Sequence, residues 1–263
     1  MQLSRVTALA VVVALASGCG TRTPDADRQV VDAGEPNGLP VVTDGDEVVV
    51  SCGGGNEGWP PSVMAEGLPG LLDQAEATMT FQDILDDPQW GVEAELSLLR
   101  NGVDVEWRVL RGDSSSLVVG LGRWTDQGPA QADAYVLGLE REDGRWVPRG
   151  WGDCSLAPIL RGRNTWAHVT GYRAAGPEAT SFEASVSEGE CTSARDPGPF
   201  LHEPTVVERP DTITVYWTST PVVGGADCPG NPTVTRVVEL DAPLGERQVL
   251  DGSRYPPEPV KPD

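Results

Sequence analysis

The sequence predicts a mainly β protein, in which an α+β N-terminal region with an antiparallel meander is followed by a small antiparallel β-sandwich or barrel. Three observations carry that prediction. From residue 47 onward, apolar residues recur at alternate positions in short runs, the mark of strands with one buried face. Between the runs lie clusters drawn from 31 glycines and 23 prolines, which supply turn geometries and stop helices. Cys52, Cys154, Cys191 and Cys228 form an even set of the kind that staples an exported domain with two disulfides.

The chain opens with Met1-Gln-Leu-Ser-Arg5, a short basic stretch, and continues with an apolar run from Val6 to Ala16. That run has the length of a secretory signal core and is too short to cross a bilayer. It ends in Leu15-Ala-Ser-Gly-Cys19, where small residues precede a cysteine followed by polar sequence. The pattern closely resembles the lipobox of bacterial lipoproteins, with Ala16 where leucine is usual. The resemblance implies that residues 1–18 are a signal peptide and that the Cys19 thiol receives a diacylglyceryl group. Cleavage just before Cys19 would make it the first residue of the mature chain. Two acyl chains anchor a protein stably where one holds it only marginally, so the expected location is the outer face of the cytoplasmic membrane. Residues 19–46 then read as a lipidated, disordered tether, acidic and interrupted by Pro24, Pro36 and Pro40. A flexible chain of about 25 residues has a root-mean-square reach on the order of 25 to 30 Å.

Residues 47–160 form the α+β region. Glu47-Val-Val-Val-Ser-Cys52 reads as a short strand leading into Gly53-Gly-Gly, a turn, since no Gly-Lys-Ser/Thr follows to make a phosphate cradle. Ser62 is placed to cap a short helix over Val63 to Gln74, broken at Gly67 and Pro69, and a second helical piece covers Thr80 to Asp86 before Pro88. From Val103 the pattern turns to strands: Val105, Trp107 and Val109; Leu117 to Leu121; Tyr135, Leu137 and Leu139; and Arg145 to Trp151. Glu142-Asp143-Gly144 joins the last two as a hairpin, because Asp-Gly suits a tight turn with two positive φ angles. Arg111-Gly112-Asp113, an adhesion-type tripeptide, falls at a predicted turn and reads as one.

Residues 161–255 form a β-rich region organised around Thr212 to Gly252. Ile213, Val215 and Trp217 alternate with Thr212, Thr214 and Thr218, and a partner run from Val234 to Leu240 follows a Gly- and Pro-rich loop that holds Cys228. Further strands are expected at Thr165 to Arg173, with Trp166, His168, Thr170 and Tyr172 on one face. Others follow at Phe182 to Val186, His202 to Glu208 and Gln248 to Leu250. Residues 256–263, rich in proline, are expected to be a disordered tail. Four cysteines allow three pairings. Cys52 with Cys154 and Cys191 with Cys228 close each region on itself, and the longer loop is worth about 4 to 5 kcal/mol in loop-closure entropy.

The formal net charge is −21, from 40 acidic residues against 19 basic ones, of which only Lys261 is a lysine. A surface this acidic repels nucleic-acid phosphate, so no nucleic-acid partner is expected. The sequence holds no GxSxG, HExxH, P-loop, dinucleotide fingerprint or EF-hand loop. No catalytic or metal-ligating residue and no cofactor is therefore assigned. His168 is expected to be hydrogen-bonded within the sheet, and neither it nor His202 lies in a loop beside a plausible nucleophile motif. The acidic group Asp44, Asp46 and Glu47 lacks the glycine and bidentate glutamate of a calcium loop.

A second resemblance lies in Cys228-Pro-Gly-Asn231, in Val238-Glu-Leu-Asp-Ala-Pro-Leu-Gly-Glu-Arg247 and in Asp251-Gly252. With the lipobox, these look like the C-terminal pattern of uncharacterised exported lipoproteins of the high-GC Gram-positive, actinobacterial type. The scarcity of lysine against Arg, Ala, Gly and Val agrees with a GC-rich genome. That resemblance implies no activity. The expected function is a membrane-anchored, non-enzymatic binding or interaction module, held by the bilayer through Cys19 and facing an unknown protein, peptide or envelope component. An extracellular hydrolase acting on cell-wall or peptide substrates and a ligand-capturing lipoprotein of a transporter are the alternatives. The second of these usually has two α/β lobes, and βαβ alternation is missing here.

Overall fold

The computed structural model describes residues 38–53, 57–87, 106–129 and 135–263. Leu39–Asp263 forms one compact unit. It is mostly β, with two disulfides, Cys52–Cys154 and Cys191–Cys228. The signal segment, Cys19 and most of the expected tether lie outside the described residues, as do Val103 and Val105.

The N-terminal half contains β1 (Thr43–Asp44), β2 (Glu47–Val48), β3 (Val50–Cys52), α1 (Pro61–Glu66) and α2 (Gln74–Asp86). They are followed by β4 (Trp107–Gly112), β5 (Ser116–Leu121), β6 (Trp124–Thr125), β7 (Gly128–Pro129), β8 (Tyr135–Glu142), β9 (Arg145–Asp153) and β10 (Leu156–Pro158). Strands β4-β5-β8-β9 form the expected antiparallel meander. At its hairpin, Asp143 and Gly144 take φ of 49° and 82°, the two positive angles of a type I′ turn, and Glu142 pairs with Arg145.

Alternation along these strands gives the meander two apolar faces. Val109, Val119, Leu121, Leu137 and Leu139 pack with Ala77 and Ile84 of α2, while Leu110 joins Val50, Trp59, Met64, Trp124 and Leu156 in a second cluster. Leu110, next to Val109, takes the opposite face by simple alternation, and it is the extra residue where the β4–β5 register shifts between Val109 and Arg111.

The helices depart from the sequence reading in a definite way. Ser62 lies inside α1 and caps nothing; its N–H and hydroxyl both donate to the Glu47 carboxylate, at 3.1 and 2.6 Å. α2 begins at Gln74, earlier than expected, because Asp73 accepts a hydrogen bond from Glu76 N at 2.8 Å and caps the helix there.

The C-terminal half contains β11 (Thr165–Arg173), β12 (Ser181–Glu188), β13 (Thr205–Glu208), β14 (Thr212–Ser219), β15 (Thr233–Glu239), β16 (Gln248–Asp251) and β17 (Glu258–Pro259). They form one sheet, ordered β15-β12-β11-β14-β16-β17, with β13 also on β14. Thr205–Glu208 and Leu201 run along one edge of β14. Along the other edge, β16 lies parallel beside Thr212–Val215 and β11 lies antiparallel beside Trp217–Ser219. The sheet thus forks at β14, and no closed barrel results.

Four expectations change here. β15 is not the partner of β14; it pairs with β12, so the Gly- and Pro-rich loop is a crossover. Thr170 is an extra residue in β11, since the register shifts between Val169 and Gly171. Beyond it Tyr172 lies on the face of Val169, edge-on to Phe182 at 5.6 Å, and not on the face of His168. Residues 39–46, expected to belong to the tether, are part of the folded body: Val41 is fully buried against Ala157 and Trp166, and the backbone around it bonds to Ile159 O and Arg161 N. Lastly, residues 258–263 are strand-like and not a free tail. They bridge the fork: Val260 N donates to Val249 O (2.9 Å), Tyr172 N to Lys261 O (3.2 Å) and Asp263 N to Tyr172 O (2.8 Å). Val260 completes the cluster of Val169, Phe182, Val186, Ile213, Val215, Trp217, Val238 and Val249.

Candidate functional site

The fork brings His168 to Asp251 and Ser253, a neighbouring pair that lies far from it in the sequence. β16 ends at Asp251, whose Oδ1 accepts the Ser253 N–H at 3.0 Å, a local Asx turn that swings the chain toward β11. Ser253 Oγ then stands 2.7 Å from Asp251 Oδ2 and 2.7 Å from His168 Nδ1. His168 Nδ1 is 3.6 Å from the same carboxylate oxygen, too far for a good bond.

These distances assign the protons. The hydroxyl has one hydrogen, which goes to the carboxylate, and its lone pair accepts the His168 Nδ1–H. A serine nucleophile needs the opposite arrangement, with the histidine between acid and serine, bonded to the acid through one ring nitrogen and to the hydroxyl through the other. Here the serine is the middle member, both contacts lie on the Nδ1 side, and Ser253 is 0% exposed. The three side chains tie β16 to β11 where β11 parts from β14. They do not form a hydroxyl-activating relay.

His202 is likewise used in holding strands together. Its ring nitrogens lie 3.0 Å from Thr218 Oγ1 and 3.0 Å from Thr220 Oγ1, and its carbonyl accepts the Trp217 indole N–H at 2.7 Å. Burial pushes its pKa below the ordinary 6.5, because the charged imidazolium is poorly solvated there.

The four cysteines pair as expected. Cys52 and Cys154, with Cα atoms 4.8 Å apart, join the end of β3 to the chain leading into β10 and pack on the cluster of Val50, Trp59 and Leu156. Cys191 and Cys228, 4.7 Å apart at Cα, are solvent-exposed and join the loop after β12 to the loop before β15. Asn231 pins the same loops: its amide donates to Glu188 O and Glu190 O, and its oxygen accepts from Thr192 Oγ1 at 2.6 Å. Beneath it, the buried Glu188 carboxylate is gripped by Arg195, whose guanidinium stacks 3.7 Å over the Phe200 ring.

The motif residues behind the C-terminal resemblance therefore have structural roles. Arg247 donates to Glu208 Oε2 at 2.6 Å and to the carbonyls of Ala242, Pro243 and Leu244. Glu208 Oε1 also accepts Asp241 N–H. Burial raises the Glu208 carboxyl, but the bonds from Arg247 and from the Asp241 backbone outweigh it and hold the group below its ordinary 4.5. Gly252 lies against Tyr216, where a Cβ would stand 2.5 Å from the ring, so no other residue fits that turn.

The remaining sequence candidates are not brought together. Glu47 is occupied by Ser62, and among the described residues no three His, Cys, Asp or Glu side chains converge to hold a metal ion. Asp113 accepts the Ser115 hydroxyl at 2.6 Å and the Ser115 and Ser116 N–H groups at 2.7 and 3.1 Å, which shapes the β4–β5 turn. Those bonds hold its carboxyl below the usual value. Arg111 pairs with Glu57. Sequence reasoning missed Ser253 and Asp251; the Asp-Gly-Ser turn was readable, but nothing in the sequence marks His168, 85 residues away, as its partner.

Comparison with protein-family models, with curated proteins and with solved structures finds no match.

Proposed function

We propose that the protein is an exported lipoprotein, anchored through Cys19 to the outer face of the cytoplasmic membrane, whose β-rich body is a binding module for a protein, peptide or envelope component. The observation that supports this most is the pairing of all four cysteines of the body into disulfides. Such bonds persist outside the reducing cytosol, in keeping with the signal-like segment and the lipobox before them. The acidic surface and the structural use of His168, His202, Asp251 and Glu208 agree with a body built to present a surface. Replacing Cys19 by serine tests the anchor. The protein should leave the membrane fraction and collect as precursor or in the medium; undiminished membrane retention would overturn the reading.

An extracellular hydrolase is the second reading, favoured by the meeting of His168, Ser253 and Asp251. Ser253 lies out of solvent reach and between the other two, which weighs against it.

A further inference from the structure

β15, Thr233–Glu239, is the terminal strand of the seven-stranded sheet. It pairs with β12 without a bulge, from Ser187 opposite Thr233 to Ser181 opposite Glu239. Just beyond, Leu240 N donates to the directly opposed Thr180 O at 2.9 Å, which fixes the direction of every backbone group on the strand. Opposed residues in an antiparallel ladder alternate between bonded and non-bonded pairs. Val234, Arg236 and Val238 therefore turn their N–H and C=O groups to β12, while Thr233, Thr235, Val237 and Glu239 turn theirs to the open edge.

Among the described residues no backbone hydrogen bond reaches that edge. The Thr235 carbonyl alone is occupied, by Arg236 Nη1 at 3.0 Å. Natural edge strands are blunted by bulges, prolines or lysines. β15 has no bulge, proline or lysine, its one basic residue, Arg236, covers the Thr235 carbonyl alone, and five of its seven residues are Val or Thr. On its solvent face Val237 is 56% exposed and stands between two exposed carboxylates, Glu239 on its own strand and Glu183 directly across on β12.

We infer that β15 is a docking edge that takes up an extended, basic peptide segment of a partner protein as an added strand. The inference rests on the reading of the body as a binding module and names the kind of partner. Main-chain bonds from Thr235, Val237 and Glu239 supply the register. Val237 selects a β-branched or aliphatic residue opposite it, Glu239 selects Lys or Arg two positions away on its side, and Glu183, one strand further in, adds to the negative field that favours basic residues along the segment. A second copy of this chain fits poorly. Two-fold pairing about residue 236 sets Arg236 against its own copy, and pairing about 237 gathers both copies' Glu183 and Glu239, on chains that each carry a formal charge of −21 over the full sequence.

The test titrates the full-length protein in detergent with a fluorescent peptide, Thr-Lys-Thr-Val-Thr-Lys-Thr, by anisotropy. Saturable binding is expected, weakened at least about tenfold by N-methylating alternate amides, by exchanging both lysines for glutamate, or by Val237→Pro. Val237→Pro removes an edge-facing N–H without touching the β12 ladder, and edge strands tolerate proline. Should that variant misfold, the N-methyl comparison decides alone. No binding, or binding indifferent to N-methylation, overturns the inference, as does a peptide-independent dimer that Val237→Pro dissolves. Membrane fractionation of the Cys19→Ser variant does not involve β15, so failure here and failure of the anchored reading are read separately.

Discussion

Replacing Ser253 by alanine separates a structural hydroxyl from a catalytic one. The side chain is fully buried, and its hydroxyl joins Asp251 Oδ2 to His168 Nδ1 at 2.7 Å on each side. Without it, Asp251 keeps only the Ser253 N–H on Oδ1, and His168 faces the carboxylate across 3.6 Å. A hydrogen bond to a charged group contributes about 1.5 to 3 kcal/mol and a neutral one about 1 kcal/mol. Some of that returns if the imidazole leans onto the carboxylate, so a net loss of about 2 to 3 kcal/mol is expected. For a body of this size each kcal/mol lowers Tm by about 2 to 4 °C, which gives a drop of roughly 5 to 10 °C by scanning calorimetry. The same geometry requires that a fluorophosphonate probe leave Ser253 of the wild-type protein unlabelled. A Tm within about 1 °C of wild type, together with covalent labelling of Ser253, would refute the structural assignment and restore the hydrolase.

Three further outcomes follow from the contacts described. His202 is held below its ordinary 6.5, so the stability it contributes is present above that value and is lost as pH falls through the lowered folded value. Glu208, held below 4.5, adds a second loss at lower pH. Urea midpoints taken from pH 8 to 3 should fall in two stages, with His202→Asn removing the first; a flat profile between pH 7 and 5 contradicts this. Arg247→Ala strands a largely buried Glu208 and frees the Ala242 and Pro243 carbonyls, and should cost about 3 kcal/mol, or roughly 6 to 12 °C in Tm. A shift under about 2 °C would show the pair to be a surface ornament. Residues 161–263, which supply every member of the Val260 cluster, should unfold cooperatively by themselves when oxidised. Cys228→Ser should then lower the fragment's Tm by more than about 10 °C, and a fragment ending at residue 255 should be weaker still for want of Val260. No cooperative melt from the 161–263 fragment would mean that the two halves share one folding unit.

What the sequence carried was local. Asp143-Gly144 specified its hairpin because the required φ angles are available to those residues, and the alternation of Leu117 to Leu121 or Ile213 to Trp217 specified strands. The cysteine pairing was readable because each pair closes one half of the chain. What it did not carry was register and long-range choice. The extra residue at Thr170 moves Tyr172 to the opposite face, and no composition rule marks a bulge that only the partner strand reveals. β15 follows β14 in sequence and resembles its natural partner, yet β12 takes it, and β14 is filled instead by Thr205–Glu208, β11 and β16. The last residues look free because of their prolines, but the fork between β11 and β16 leaves backbone groups that only an incoming strand satisfies. The meeting of His168 with Ser253 depends on that same fork and was illegible for the same reason.

Mass spectrometry of the native protein, purified from membranes without reduction, reads the anchor and the body in one experiment. The expected chain begins at Cys19, carries a diacylglyceryl group there, and yields peptides joining Cys52 to Cys154 and Cys191 to Cys228 with no free thiol. A chain that still begins at Met1, an unmodified Cys19, or free thiols in the denatured protein would contradict an exported, lipid-anchored binding module.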